Sequence, residues 1–296
     1  MVESILVTGR TGQLAAALAD AAPAYGLNLQ CLERPILDIG HPASIAHAFS
    51  THSPSLVINT AAYTDVDAAE DDPAAAYRAN RDGPAELARL CAAAGIPMIQ
   101  VSTDYVFDGR KGAPYIESDV TAPQSVYGAS KLAGERAVLT LCPRAVVLRT
   151  AWLYSPIGKN FVRTMLAAGE RNSNLRVVAD QIGCPTSAQD LSAAVLGVAG
   201  QLSDGWSDRY AGIYHAAGTG AATWHELATA IFAAATRHGR RTPSVEQIST
   251  QDWPTKAVRP PDSRLDCSRL AAIFGLRLPV WQDSVRHTVE TILSQI

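Results

Sequence analysis

The chain has 296 residues, 25 Lys and Arg against 28 Asp and Glu, a formal net charge of −3, and 47% hydrophobic residues. That is enough apolar material for one large globular core, and it lacks the basic stripe that a nucleic-acid partner requires. No apolar run approaches the roughly 18 residues of a membrane span, and no basic, apolar leader opens the sequence, so a cytoplasmic protein with no membrane partner is expected.

Ser4–Thr8 is a short β-rich run that ends at Gly9, followed by an Ala/Leu-rich stretch over Gln13–Ala22. Leu27–Leu32 reads as a second strand, Ile45–Phe49 as a weaker helix, and Leu56–Thr60 as a third, buried strand. Ala-rich helical segments follow at Pro73–Asn80 and Pro84–Ala94, then a strand at Met98–Ser102, a helix at Ser125–Leu141 and a strand at Ala145–Thr150. Strands that are apolar on both faces and alternate with helices predict an α/β fold, a doubly wound parallel sheet covered on both sides.

The rhythm loosens after residue 150. A helix over Asn160–Ala168, a strand over Leu175–Val178 and a helix over Ala188–Val198 are expected. Thr223-Trp224-His225-Glu226 has capping-box spacing and predicts a helix through Thr236. The Pro-rich stretch at 256–266 must be extended or turning, and Val280–Leu293 reads as a helix. The expected division is a dinucleotide-binding core over 1–150, to which later segments return, and a smaller α/β substrate-binding lobe over 151–296 with no clean boundary.

Residues 7–15, V-T-G-R-T-G-Q-L-A, place a G-x-x-G-x-x-A loop between a strand and a helix. Small residues there let the backbone approach a pyrophosphate at the helix N-terminus, so Gly9 and Gly12 point to a nucleotide. Glu33 and Arg34 follow the second strand, where an adenosine ribose would lie. A carboxylate accepts from a 2′-hydroxyl and an arginine meets a 2′-phosphate, which leaves NADPH and NADH both open.

Tyr127 and Lys131 stand one helical turn apart in V-Y-G-A-S-K and share a face. A phenol ordinarily titrates near pH ~10, and a nearby cation favours its ionised form, so the pair could move a proton. Alone, such a pair is more often a half-buried tyrosine over a surface lysine. Thr103, in the S-T-D-Y run that follows the fourth strand, supplies a hydroxyl at the sheet edge where ligands bind.

Together these pieces resemble the extended branch of the short-chain dehydrogenase/reductase superfamily, with its Rossmann-type sheet. G-R-T-G-Q-L, N-T-A-A-Y-T-D-V-D-A-A-E, S-T-D-Y-V-F-D-G, V-Y-G-A-S-K-L-A-G-E, L-R-T-A-W-L-Y, D-Q-I-G-C-P-T, W-H-E-L and R-P-P-D-S-R-L-D resemble the dTDP-4-dehydrorhamnose reductases over nearly the whole chain. That resemblance implies NAD(P)H-dependent reduction of the C4 keto group of a dTDP-sugar. It implies that Tyr127 exchanges the proton, while Lys131 holds the nicotinamide ribose and lowers the Tyr127 pKa. It also places Gly12, Gln13 and Leu14 on the pyrophosphate, Asp38 and Ile39 along the adenosine, and Ala62, Tyr63 and Thr64 at the nicotinamide half. Thr103, Asp104 and Trp152 would touch the sugar, although Trp152 also suits a core aromatic and Asp104 a loop cap. Asn160 and Arg259 are candidate phosphate or sugar ligands, or solvated loop residues.

Some members of that family dimerise through a metal held by two glutamates, and the matching positions here are Ala17 and Gln189. A hard cation needs oxygen anions, so no metal site is expected, and the protein should be a monomer or weak dimer. The seven histidines lack metal-ligand spacing, and the five scattered cysteines read as reduced thiols. Two other functions fit parts of the pattern. A nucleotide-sugar dehydratase or epimerase shares the fold, but dehydratases use Asp-Glu where this chain has Asp104-Tyr105. A non-catalytic regulatory subunit need not keep Thr103, Tyr127 and Lys131.

Overall fold

The computed structural model describes residues 4–294, so the first three and last two residues of the two expected portions lie outside it. The first half runs β1 (Ser4–Thr8), α1 (Gln13–Ala21), β2 (Asn28–Leu32), α2 (Pro42–His52), β3 (Leu56–Asn59), α3 (Ala68–Asp71), α4 (Pro73–Tyr77), α5 (Gly83–Ala94), β4 (Met98–Thr103), α6 (Val126–Leu141) and β5 (Ala145–Thr150). The second half runs β6 (Leu153–Tyr154), α7 (Phe161–Arg171), β7 (Asn174–Val178), β8 (Ile182–Gly183), β9 (Thr186–Ser187), α8 (Ala188–Asp204), β10 (Gly212–His215), β11 (Ala222–Thr223), α9 (Trp224–Thr236), β12 (Ser244–Ile248), α10 (Ser268–Phe274) and α11 (Trp281–Ser294).

Six strands form a parallel sheet in the order β10-β5-β4-β3-β1-β2. Alternation along each strand divides the core. Ile5, Val7, Ile58, Val146 and Leu148 face one side with Leu14 and Leu18 of α1 and Leu191 and Val195 of α8. Leu6, Val57 and Val147 face the other with Ile45 of α2, Leu87 of α5 and Val138 of α6. Both faces are covered, which is why these strands read as continuous apolar runs. The strand order reverses between β1 and β3, and the crevice outside that point is where open α/β sheets bind ligands.

The smaller lobe collects α7, α9 and α11 around Leu227, Ile231, Val285 and Val289. Three two-stranded ladders join it: β7 with β12, β8 with β11, and β6 with β9. The capping box at Thr223 opens α9, with the Thr223 hydroxyl and the Glu226 carboxylate each accepting the other's backbone N–H.

The short elements α3, α10, β6, β8, β9 and β11 are not expected from the sequence, and three further differences have a physical reason. β10 is the sixth strand of the sheet, but four residues beginning at a glycine carry no periodic signal. β12 is mostly exposed and lacks an apolar run. The helix expected to break between Asn80 and Pro84 instead continues through a π-helical segment, Arg78–Asp82, into α5. Proline has no N–H to donate to the carbonyl four residues back, and the wider turn accommodates that loss.

Candidate active site

A cleft of about 1180 Å³ lies over the carboxyl ends of β1, β2 and β3. Gly9, Gly12, Glu33, Arg34, Asp38 and Ile39 line it, with Ala62 and Tyr63 on the opposite wall. Gly9 has φ of 88°, a left-handed conformation that glycine adopts without strain. Gly12 precedes α1, which has no side-chain N-cap, and a Cβ placed on Gly12 would meet no atom within 4 Å. The first-turn amides of α1 are therefore free for an anion, and the loop fits a dinucleotide pyrophosphate.

The Glu33 carboxylate accepts from the Thr11 backbone N–H at 3.2 Å and from its hydroxyl at 2.7 Å, tying the second strand's end to the glycine loop. Arg34 is exposed and lines the cleft, as does the exposed Arg10, which sequence reasoning did not single out. Asp38 accepts from the Gly40 N–H at 2.9 Å. Leu14 is buried in the core beneath the sheet, so only its backbone can meet a phosphate. Gln13 faces the second lobe, and Thr64 is exposed outside the cleft lining.

The sheet and α6 bring Thr103, Asp104, Tyr127 and Lys131 together. Ser125 caps α6 through its hydroxyl, accepting from the Gly128 N–H at 3.2 Å, and the Glu70 carboxylate accepts from the Val126 N–H at 2.8 Å. Gly128 allows close contact, since a Cβ there would lie 2.2 Å from the Tyr105 carbonyl oxygen. The Tyr105 ring meets the Tyr127 ring edge-on, centroids 5.7 Å apart.

Burial pushes the Tyr127 phenol up to about 12, with the neighbouring Thr103 hydroxyl acting in the opposite direction. Burial pushes the Lys131 ammonium down to about 8, against the pull of the Glu135 carboxylate. Lys131 Nζ donates to the Val101 carbonyl at 2.7 Å. Burial is the largest influence on the phenol in the chain by itself, and the Lys131 ammonium is turned toward β4.

Asp104 is 2% exposed, and its Oδ2 has no hydrogen-bond partner among the described residues. Its Oδ1 accepts from the Thr103 hydroxyl at 3.1 Å. Burial raises the carboxyl to about 6, with the Ser263 and Thr103 hydroxyls working against it. Buried polar atoms are ordinarily hydrogen-bonded, so the Asp104 carboxylate has capacity left for a further donor.

Trp152 sits at φ of 47°, a conformation strained for a non-glycine residue. Its ring stacks on Trp224, centroids 3.5 Å apart and planes within 3°, and a Cβ on Gly183 would lie 2.3 Å from the indole. Strain of this kind is retained where the surroundings fix it, commonly at ligand sites. Asn160 caps α7 and donates to Gln13 Oε1 at 3.0 Å, joining the second lobe to the glycine loop. Arg259 is engaged by Asp67 rather than free in solvent. Sequence reasoning missed the partners Asp67, Glu70 and Asn80, whose contacts are all distant along the chain.

The family model described as RmlD substrate binding domain matches residues 3–294. A dTDP-4-dehydrorhamnose reductase of Sinorhizobium fredii is 44% identical over 290 residues, 98% of this chain and 97% of its own length. The chain belongs to the dTDP-4-dehydrorhamnose reductase family. A crystal structure of a family member from Clostridium acetobutylicum superposes with a TM-score of 0.91 at 34% identity, covering 99% of this chain and all (100%) of that one. A Bacillus anthracis member, solved in complex with NADP, gives 0.90 at 32% identity over 98% of this chain and 100% of its own.

The two positions where some family members place metal-binding glutamates are unlike each other here. Ala17 is buried, 6% exposed, in α1, while Gln189 is exposed at the start of α8 and accepts from the Ser187 hydroxyl at 3.1 Å. Among the described residues no cluster of His, Cys, Asp and Glu could hold a metal, and no helix is long and apolar enough to cross a membrane.

Proposed function

We propose that the chain is an NAD(P)H-dependent oxidoreductase that reduces the C4 keto group of dTDP-4-dehydro-L-rhamnose to give dTDP-L-rhamnose. This is a step in nucleotide-sugar synthesis for cell-surface polysaccharide. The observation that carries it is the meeting of Thr103, Asp104 and Tyr127 at the carboxyl edge of the sheet, next to a cleft with a phosphate-binding loop. The nicotinamide, when bound, supplies the hydride. The protein's own part is to hold a proton at the Tyr127 oxygen, aim a second donor from Thr103 at the developing alkoxide, and orient the sugar through Asp104 and Trp152.

Gly12, Gln13 and the Leu14 backbone would hold the pyrophosphate, Asp38 and Ile39 the adenosine, and Ala62, Tyr63 and Thr64 the nicotinamide half. Lys131 would hold the nicotinamide ribose. NADPH is the preferred cofactor in this proposal, because Arg34 can meet a 2′-phosphate; NADH remains usable through Glu33. Asn160 and Arg259 act on the sugar or its diphosphate from the second lobe.

Reduction is favoured over dehydration by Tyr105. A dehydratase needs an additional acid or base beside the substrate, and burial raises the Tyr105 phenol well above its ordinary range. The test is purified protein with dTDP-4-dehydro-L-rhamnose and either NADPH or NADH, followed by loss of reduced-nicotinamide absorbance and product NMR. Stoichiometric oxidation yielding dTDP-L-rhamnose is expected. No oxidation with either cofactor, or conversion of the sugar without net oxidation, overturns the proposal.

A further inference from the structure

Glu135 lies one turn after Lys131 on the same face of α6, and both are buried, at 1% and 6% exposure. Its carboxylate meets a registered pair of strand residues, Ser102 of β4 and Arg149 of β5. The Ser102 hydroxyl donates to Oε1 at 2.5 Å, and Arg149 donates from Nε to Oε1 at 2.9 Å and from Nη2 to Oε2 at 2.7 Å. Ser102 follows Val101, whose carbonyl accepts from Lys131 Nζ at 2.7 Å. One carboxylate thus accompanies two buried cations and fastens the strand residue next to the lysine's acceptor.

An ammonium taken out of water loses its charge unless an anion offsets the lost solvation. On α6 itself the titratable neighbours of Lys131 are Tyr127 and Glu135. β5 brings the Arg149 cation, and the turn after β4 brings Asp104 and Tyr105, with Asp104 acting on both phenols. Among the helices packed on α6, Glu86 and Arg89 of α5 pair with each other, and the Glu70 carboxylate of α3 takes the Val126 N–H. Asp71, Asp72, Arg78, Arg81 and Asp82 are exposed to solvent, and Tyr77 is a half-buried phenol. Glu135 works against the burial that pushes Lys131 down to about 8. A buried ion pair adds little stability over apolar residues of similar volume, so stability alone does not account for this carboxylate.

We propose that Glu135 is a positioning residue that keeps the Lys131 side chain charged and its ammonium tied to β4, so that a cation is in place when the substrate oxygen gains negative charge. The second half of this role rests on the reductase activity proposed above.

The chain has four lysines, of which Lys111, Lys159 and Lys256 are exposed. In protein carrying isotope-labelled lysine, the Lys131 Cε resonance is recognised by NMR from its titration near pH 8 and its loss in Lys131→Met. Glu135→Gln keeps the length and an acceptor oxygen but removes the charge. Its Lys131 resonance should titrate about one pH unit lower, the scale of losing a close opposite charge. In single-turnover stopped flow with NADPH and dTDP-4-dehydro-L-rhamnose, the decline of the hydride rate constant should move down with it. Glu135→Asp keeps the charge and should titrate near the parent value. A purely structural role would weaken the fold and move neither titration. If Glu135→Gln does not fold, Glu135→Leu with Arg149→Met decides, with a smaller downward movement because a repelling cation is removed too. An unmoved Lys131 titration overturns the role, and so does a moved titration with an unmoved rate profile. No hydride transfer by the unaltered protein, with the Lys131 titration moved as expected, overturns the reductase function and leaves the hold of Glu135 on Lys131 standing.

Discussion

Asp67 grips Arg259 at two points, with Nη1 on Oδ1 and Nη2 on Oδ2, both at 2.6 Å. The Ala257 N–H adds a third bond to the same carboxylate at 2.9 Å. The pair fastens the Pro-rich segment of 256–266 to the stretch after β3, and a Cβ on Gly109 would lie 2.7 Å from Pro260 and Pro261, so the segment also packs close against the loop at Gly109. Hydrogen bonding from Arg259 holds the Asp67 carboxyl down to about 2, below its ordinary 3.8. A depressed acid stabilises the fold above its unfolded pKa and loses that contribution as pH falls through the folded one. Asp67 keeps 40% side-chain exposure, so solvent screening limits the contribution to the order of 1 kcal/mol. Asp67→Asn should therefore unfold at lower urea than the parent at pH 6, with the gap closing between pH 4 and 2. A gap independent of pH would show that the charge is not its source.

Beneath the site, Arg149 and Glu135 form a pair in which both side chains are 2% exposed. Arg149 donates from Nε at 2.9 Å and from Nη2 at 2.7 Å, and the Ser102 hydroxyl donates to the same carboxylate at 2.5 Å. Removing one partner strands a buried charge, which costs about 3–5 kcal/mol, whereas replacing both by apolar groups of similar volume costs far less. Glu135→Ala should lose stability on that scale in urea titrations. The double change Glu135→Leu with Arg149→Met should recover most of it, and equal losses in both proteins would rule out the charge as the cause.

Cofactor choice is expected to rest on the arginines at the cleft rim. Arg34 and Arg10 are both exposed and line the cleft, while Glu33 is held by Thr11. Arg34→Ala should reduce kcat/KM for NADPH by about tenfold, as for loss of a hydrogen bond to a charged group, and leave NADH nearly unchanged. An unaltered NADPH-to-NADH ratio in Arg34→Ala would remove Arg34 from the account, and Arg10→Ala would then be the variant to compare.

Chelation should change neither turnover nor native mass. Ala17 offers no ligand atom and Gln189 only a neutral amide, so a divalent cation lacks the carboxylates it needs at the α1 and α8 positions. Light scattering with and without chelator checks this, and a loss of mass on chelation would contradict it.

What the sequence made legible is what depends on local chemistry. The glycine loop and the Thr223 capping box each lie within a few residues, and each occurs where the spacing predicted. The partners that shape the site were not legible, because they meet only after folding. Asn80 and Ser130 are 50 residues apart, Glu70 and Val126 56, and Asp67 and Arg259 192. Nor could periodicity reveal β10, whose four residues become a strand by pairing with β5.

The proton relay gives the most direct test. The Tyr127 phenol, pushed up to about 12 by burial, is protonated near neutral pH, and in the proposed reaction it would give its proton to the alkoxide formed at C4. Positioned proton transfer contributes about 10²–10⁴-fold, so Tyr127→Phe, which keeps the ring and its edge contact with Tyr105, should lose turnover by that factor with substrate KM nearly intact. Thr103→Val should lose less, because a hydrogen bond rather than the proton is removed. Lys131, pushed down to about 8, is a cation below that pH and neutral above it. In the proposed reaction its positive charge would support the negative charge developing on the sugar and tyrosine oxygens, so the reduction rate should fall as pH rises through about 8. Lys131→Met should lose both turnover and cofactor affinity at every pH. Lys131→Arg keeps a cation that does not titrate in this range, so its slower rate should show no decline near pH 8. Turnover at the parent rate by a Tyr127→Phe protein with an unchanged circular dichroism spectrum would exclude Tyr127 as the acid. An unchanged decline near pH 8 in Lys131→Arg would assign that titration to another group.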